Sequence, residues 1–261
     1  SEAVRTHRLR SALTMLGILI GITAVVLTVG LGAGAKADIQ DKIDELGTNV
    51  LVVSPGSSTD SSGARGGFGT ASTLTTTDAA ALASTTNAPD ITAVAPVATS
   101  SASLVAGTTN WTTTLTGTTP DWTKVRSRGV SNGRFITDAD DAAAAGVVVL
   151  GPDTATELFD SAAASSDQTV SYNGTTLKVV GVLDELSSSD ATSNNDLAIV
   201  PLRTYQQRLV GGSHRDAVSS IYIKADSSDG LSGAYQQADA TLLALHGITT
   251  ATDADFSIAT Q

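Results

Sequence analysis

Residues 27–40, LTVGLGAGAKADIQ, pass from aliphatic chain through Gly30, Gly32 and Gly34 into Lys36 and Asp38 with no proline between. Three readings compete for this stretch: the cleavage end of a signal peptide, a phosphate cradle, or the outer end of a membrane helix that continues into water. A Walker loop needs Gly-Lys-Ser/Thr, but Lys36 stands between Ala35 and Ala37; the dinucleotide fingerprint fails as well, because nothing strand-like precedes Gly30. A signal peptide would use Arg5, Arg8 and Arg10 as its basic region and Ala33-Gly34-Ala35 as its cleavage site. Its apolar region, however, should run for about 7–15 residues. Here Ser11 to Ala35, 25 residues, carries no charge at all.

As a helix that span would be about 37 Å long, enough to cross a hydrocarbon core of about 30 Å with some tilt. The basic cluster precedes it, which by the positive-inside rule puts residues 1–10 in the cytoplasm and everything after residue 35 outside. Gly17 and Gly21, and again Gly30 and Gly34, have the small-xxx-small spacing that lets a second membrane helix approach closely. The helical pattern then continues. Ala35, Ile39, Ile43 and Leu46 recur at helical spacing among charged neighbours, and Gly47 is a good helix stop. A helix from about Leu13 to Leu46 would be about 50 Å long and would stand above the bilayer as a stalk over residues 36–47. It leads straight into the β-type run TNVLVVSPG (48–56), as a rigid connection would.

The remaining residues are rich in Ala, Thr, Ser, Val and Gly and poor in aromatics, so their core must be built from small and β-branched side chains. The formal charge of the chain is −11 and its few basic residues are enriched before residue 11. A body that acidic repels nucleic acid. Residues 54–76, rich in Ser, Gly and Thr, are expected to form a mobile loop, followed by a short helix capped at Thr77-Asp78 and running to about Ser84. Strands are predicted over 91–106 and 110–117, then an acidic-started helix, a buried strand Val147 to Leu150 and a helix opened by Pro152. QTVSYNGTTLKVVGVL (168–183) reads as a hairpin turning at Asn173-Gly174. After a polar loop at 184–195 come a strand at 197–200, a helix opened by Pro201 and running to about Leu209, a strand at 219–225, a long helix near 229–246 and a last strand at 255–260. Interleaved elements with frequent hairpins make this α+β with mixed sheets.

Catalytic patterns are weak. His7, His214 and His246 are too dispersed for a zinc site, and His246 is expected at a helix C-terminus. GGSHRD (211–216) sets Ser213, His214 and Asp216 side by side, but adjacent residues seldom bring nucleophile and base into reach. TDADD (137–141) lacks the glycine and glutamate of a calcium loop and reads as an acidic helix start. No residue is assigned a catalytic, cofactor or metal role.

The run from Arg8 to Gly56 resembles the first membrane helix and stalk of MacB-type, FtsX-like ABC-transporter permeases. The later segments LTGTTPDW, GRFITDADD, VVVLG, LKVVGVLDE, IVPLRTY and SIYIKA resemble the periplasmic core domain of the same proteins, in the same order. The resemblance implies an α/β porter-like lobe from residues 48–106 and 215–261, with a β-rich sabre-like lobe, 107–214, inserted between them. It implies a non-catalytic permease in the plasma (inner) membrane of a bacterium, working as a homodimer or related heterodimer in the lipid bilayer. An ABC-type ATPase subunit would bind the ATP and Mg, and an extracytoplasmic adaptor or substrate would meet the head. Motion would pass up the stalk by mechanotransmission. Three further membrane helices and an ATPase, expected in such a system, are not among the 261 residues, so the chain is expected to be a fragment. The alternatives are a membrane-anchored extracellular binding, sensor or enzyme domain without an ATPase partner, and a regulatory member that activates a cell-wall hydrolase or senses a peptide.

Overall fold

The structure, a computed structural model, describes residues 15–23, 49–59, 65–68, 73–161, 168–187, 194–210, 216–228, 230–249 and 254–260. The chain divides into two units, residues 1–46 and 47–261. In the first, residues 15–23 are helical. No helix among the described residues is long and apolar enough to cross a membrane. The membrane helix expected over 11–35 is therefore not shown at its full length, because residues 11–14 and 24–35, like the stalk 36–47, lie outside the described residues.

The second unit is organised around a ten-stranded sheet in the order β12-β1-β11-β4-β5-β10-β7-β9-β6, with β8 joining β9 to β4. Its strands are β1 (Val50–Pro55), β4 (Ile91–Ala106), β5 (Thr109–Thr118), β6 (Val130–Gly133), β7 (Val147–Leu150), β8 (Thr169–Tyr172), β9 (Thr175–Leu183), β10 (Leu197–Pro201), β11 (Ser220–Ala225) and β12 (Phe256–Thr260). Among the described strands, only β5 with β10 and β7 with β9 run parallel. Because β8 pairs along β9 and also meets β4 at Val105, the strands β4, β5, β10, β7, β9 and β8 close into a ring.

β4 serves both halves of the sheet. Its first half pairs with β11, and from Val97 onward it pairs with β5. Pro96 sits at this handover. A proline inside a sheet normally costs a ladder bond, but Val97 O faces β11, where it accepts from Ser219 N. Pro96 therefore faces the other way, where β5 has already ended. There Pro96 O accepts from the hydroxyl of Thr118 at 2.8 Å.

Alternation along the strands separates three apolar clusters. Leu104, Leu115, Leu150, Leu177 and Val200 face into the ring, where helix α4 (Pro152–Phe159) adds Ala155 and Leu158. Helices α1 (Thr76–Leu82) and α6 (Leu231–Leu245) pack on the other end of the sheet over Leu51, Val53, Ile221, Ile223 and Phe256. The reverse face buries Val97, Val149 and Ile199 with Val125 and Trp122 of helix α2 (Trp122–Arg126), and Trp122 stacks on Phe135 at 5.8 Å. β10 is buried along its whole length: Ala198 and Val200 enter the ring core while Leu197 and Ile199 enter the reverse cluster.

The hairpin of β8 and β9 turns at Asn173 and Gly174, both with positive φ, as a type I′ turn requires. Two local expectations are corrected. Within 54–76 the backbone forms a short hairpin, β2 (Ser57–Thr59) with β3 (Arg65–Phe68), although residues 60–64 and 69–72 lie outside the described set. Helix α1 is capped at Thr75, not at Thr77-Asp78: Asp78 accepts from Thr75 N at 2.8 Å and Thr75 Oγ1 accepts from Asp78 N at 3.4 Å. The helix opened by Pro201 ends at Leu209 as expected: α5 is a single turn (Leu202–Thr204) that widens into a π turn (Tyr205–Leu209) and sets Tyr205 against Gly117, where any side chain would collide. Thr75→Ala should remove about 1 kcal/mol of stability, since a lost N-cap leaves backbone donors of the first turn unpaired. Urea unfolding followed by tryptophan fluorescence reads this, and no change in midpoint would mean that the capping box is ornamental.

Candidate functional site

Of the residues singled out for a membrane role, Gly17 and Gly21 fall in the described helix of residues 15–23. Around them Met15, Leu16, Ile18, Leu19, Ile20 and Ile22 are 54–75% exposed, so every large side chain of this segment is apolar and uncovered. A β-carbon added at Gly17 or Gly21 would meet nothing within 4 Å. The two glycines thus leave a shallow face on which another helix could lie close. Thr23 returns its hydroxyl to Leu19 O at 2.7 Å, which satisfies it without water. Gly30, Gly34, Ala35, Ile39, Ile43 and Leu46 lie outside the described residues, as do Ser213 and His214.

The head contains a cleft of about 480 Å³. Its walls come from α1 (Thr76, Ala80), β4 (Val94, Pro96), the segment after β5 (Thr119 to Asp121), helix α3 (Asp138–Ala142) and α5. Asp121, Asp138, Asp141 and Asp216 line it, and Arg203 is the one cation among the described lining residues. Asp141 accepts from Arg203 N at 2.9 Å, tying α3 to α5, and Asp121 pairs with Lys124 at 2.7 Å. Both ties are exposed, so each contributes little stability. Among the described lining residues carboxylates outnumber cations, so this concave surface suits a cationic group. No nucleophile and base meet in this cleft among the described contacts.

The acidic run at 137–141 is the start of α3, as its sequence implies. Thr137 and Asp140 form a capping box, and Arg134 grips Asp140 through two nitrogens at 2.6 and 3.2 Å. Burial pushes the Asp140 carboxyl up, but the hydrogen bonds from Arg134 and Thr137 outweigh it and hold it below the usual carboxylate range. No group of three His, Cys, Asp or Glu among the described residues is arranged to hold a metal.

Asp138, Asp141 and Asp216 drew notice in the sequence only within their own short motifs; their convergence with Asp121 and Arg203 was missed, since these residues arrive from separate elements and share no spacing. The wider organisation has a clear counterpart among known proteins: residues 11–241 match the family model described as the MacB-like periplasmic core domain. The chain belongs to that family. It is 34% identical over 247 residues to the macrolide export ATP-binding/permease protein MacB of Hyphomonas neptunium, covering 94% of this chain and 37% of that protein. It is 30% identical over 257 residues to the protein of the same name from Chlorobaculum tepidum, covering 98% of this chain and 38% of that one. The chain thus spans less than two-fifths of the length of these relatives.

Two solved structures share the fold. The periplasmic region of MacB from Actinobacillus actinomycetemcomitans superposes with a TM-score of 0.67 at 24% identity, covering 84% of this chain and 91% of that one. The extracellular domain of the ABC-type transporter YknZ from Gram-positive bacteria gives 0.63 at 18% identity, covering 81% and 100%. The mixed α+β architecture is that of a MacB-type permease's periplasmic core domain.

Proposed function

We propose that this chain is the cytoplasmic segment (1–10), first membrane helix (11–35), stalk (36–47) and extracytoplasmic head of a MacB-type permease. Its head would comprise a porter-like lobe (48–106 and 215–261) and a sabre-like lobe (107–214), and would convert ATP hydrolysis on a cytoplasmic ATPase into export or other extracytoplasmic work. The observation that carries this reading is the family match over residues 11–241, which takes in the apolar segment and runs on into the head. The register of the sheet is consistent with it. Leu51 at the start of β1 lies beside Thr260 at the end of β12, so a pull transmitted through the stalk would act where the described head also ends. Catalysis would belong to the ATPase, which binds ATP and Mg, and a second permease would complete the membrane unit.

The acidic cleft favours one other reading, a membrane-anchored binding or sensor domain without an ATPase. Co-purification decides between them: a permease should hold an ABC-type ATPase through detergent extraction and raise its ATP turnover, whereas a sensor should do neither. Topology is a second test. The chain has no cysteine, so single substitutions report cleanly. Ser103→Cys, on the exposed side of β4, should react with an impermeant maleimide applied to intact spheroplasts, and Thr6→Cys only after permeabilisation. The reverse pattern would overturn the orientation.

A further inference from the structure

His246 ends α6 and lies between two carboxylates. Its Nδ1 is 2.6 Å from Asp255 Oδ1, in the segment just before β12, and its Nε2 is 3.3 Å from Asp78 Oδ1 on α1. The imidazole side chain is 11% exposed and that of Asp78 6%. The edge of the ring meets Phe256 at 5.8 Å. Among the described residues, Asp78 and Asp255 are the charged groups that face the ring, one from each element packed against the end of α6, and the last turn of α6 carries no basic residue. Since the two carboxylates bind opposite nitrogens, they do not converge on a point where a metal could sit.

The arrangement asks for two N–H donors. Neutral imidazole has one. The shorter contact places that proton on Nδ1, toward Asp255, leaving the Nε2 lone pair directed at the Asp78 carboxylate. Asp78 cannot easily turn away, because its other oxygen already accepts from Thr75 N and Thr75 Oγ1, each at 2.8 Å. Asp255 is fixed too, through its backbone carbonyl, which accepts from Gly56 N and Thr73 Oγ1.

We propose that His246 is a proton-operated clamp: as imidazolium it ties α1 and the start of β12 to the end of α6, and on losing its proton it repels Asp78 and releases α1. The consequence reaches the acidic cleft, because Thr76, Ala79 and Ala80 of α1 form part of its wall. The pH around this domain would then set how firmly that wall is held. Burial lowers the affinity of His246 for its proton, but the hydrogen bond to Asp255 and the charges of Asp255 and Asp78 outweigh it and raise its pKa above the ordinary 6.5. A raised folded-state pKa means that the clamp's contribution is complete below about pH 6.5 and is lost as pH rises through the raised value. The inference stands independently of the proposed transport function.

Histidine hydrogen–deuterium exchange on the full chain in nanodiscs, read by mass spectrometry, gives the titration midpoint of His246 beside those of His7 and His214. Amide exchange, corrected for its intrinsic pH dependence, gives the protection of residues 76–82 in the same samples. The expected result is a His246 midpoint above 6.5 that falls in Asp78→Asn, with protection of α1 dropping about tenfold as pH passes the wild-type midpoint. In His246→Gln that step should vanish, leaving protection low at every pH. A midpoint at or below 6.5 in the wild-type chain, which needs no variant to fold, overturns the proposal. So does a pH step in α1 that persists in His246→Gln.

Discussion

Replacing Arg128 with alanine should lower the unfolding free energy of the head by about 3 kcal/mol or more, well above the typical cost of a single substitution. Arg128 is 5% exposed. Its Nε and Nη2 donate to Asp184 O at 3.0 and 2.6 Å, its Nη1 to Asn194 O at 2.6 Å and its Nη2 to the side-chain oxygen of Asn195 at 2.9 Å. One planar fork therefore gathers both ends of the polar segment 184–195. Asn195 continues the grip, accepting from Leu186 N at 3.1 Å and donating to Leu186 O at 2.9 Å. Truncation would strand the buried side-chain oxygen of Asn195 and the partly buried carbonyls of Asp184 and Asn194 at once, and leaving a buried acceptor unpaired costs more than forming the bond gains. Lysine carries the charge but not the fork, so Arg128→Lys should recover less than half of the loss. Urea unfolding followed by the fluorescence of Trp111 and Trp122 measures all of this. A loss under about 1 kcal/mol for Arg128→Ala would show that water replaces the guanidinium without penalty.

No reading of the sequence singled out Arg128, and the reason separates what was legible from what was not. Elements whose signal is local were found nearly to the residue. β4 and β7 have the bounds that alternation and β-branching imply, and Asn173-Gly174 turns as that dipeptide must when two alternating arms flank it. Pro152 opens α4 because its missing N–H is unneeded at that position. The short elements α2 and β6 were missed, because Trp122–Arg126 and Val130–Gly133 show neither a full period nor the β-branched run that marks β7. The cap at Thr75 was misplaced by two residues because Thr75, Thr76 and Thr77 all satisfy the same rule, and only the reciprocal bond with Asp78 selects among them. Arg128, the cleft and the His246 clamp depend on partners brought together from distant segments. His246 was correctly expected at a helix C-terminus, yet Asp78 lies far from it in sequence, and nothing in either neighbourhood announces the other.

Aspartate at both Ile39 and Ile43 is expected to abolish ATP-driven work at least tenfold while leaving the head folded and ATP hydrolysis running. The argument starts from spacing. Ala35, Ile39, Ile43 and Leu46 make one stripe on a stretch whose other positions include Lys36, Asp38, Asp41, Lys42, Asp44 and Glu45, and a narrow apolar stripe on a charged helix is the signature of a seam against a neighbouring helix. A carboxylate in such a seam must either give up water, at a cost of several kcal/mol, or part the helices. If the stalk is a lever bearing on its partner, parting them disconnects the head from the ATPase without touching either machine. The matching control is Asp44→Lys, off the stripe, which changes charge by more than either single Ile→Asp substitution and should alter coupling less than twofold. Near-native tryptophan fluorescence would confirm that β1, beginning at Val50 only a few residues beyond the stalk, still nucleates the sheet. Retained transport in the double variant would mean that the stalk is a tether, and that whatever moves the head reaches it by another route.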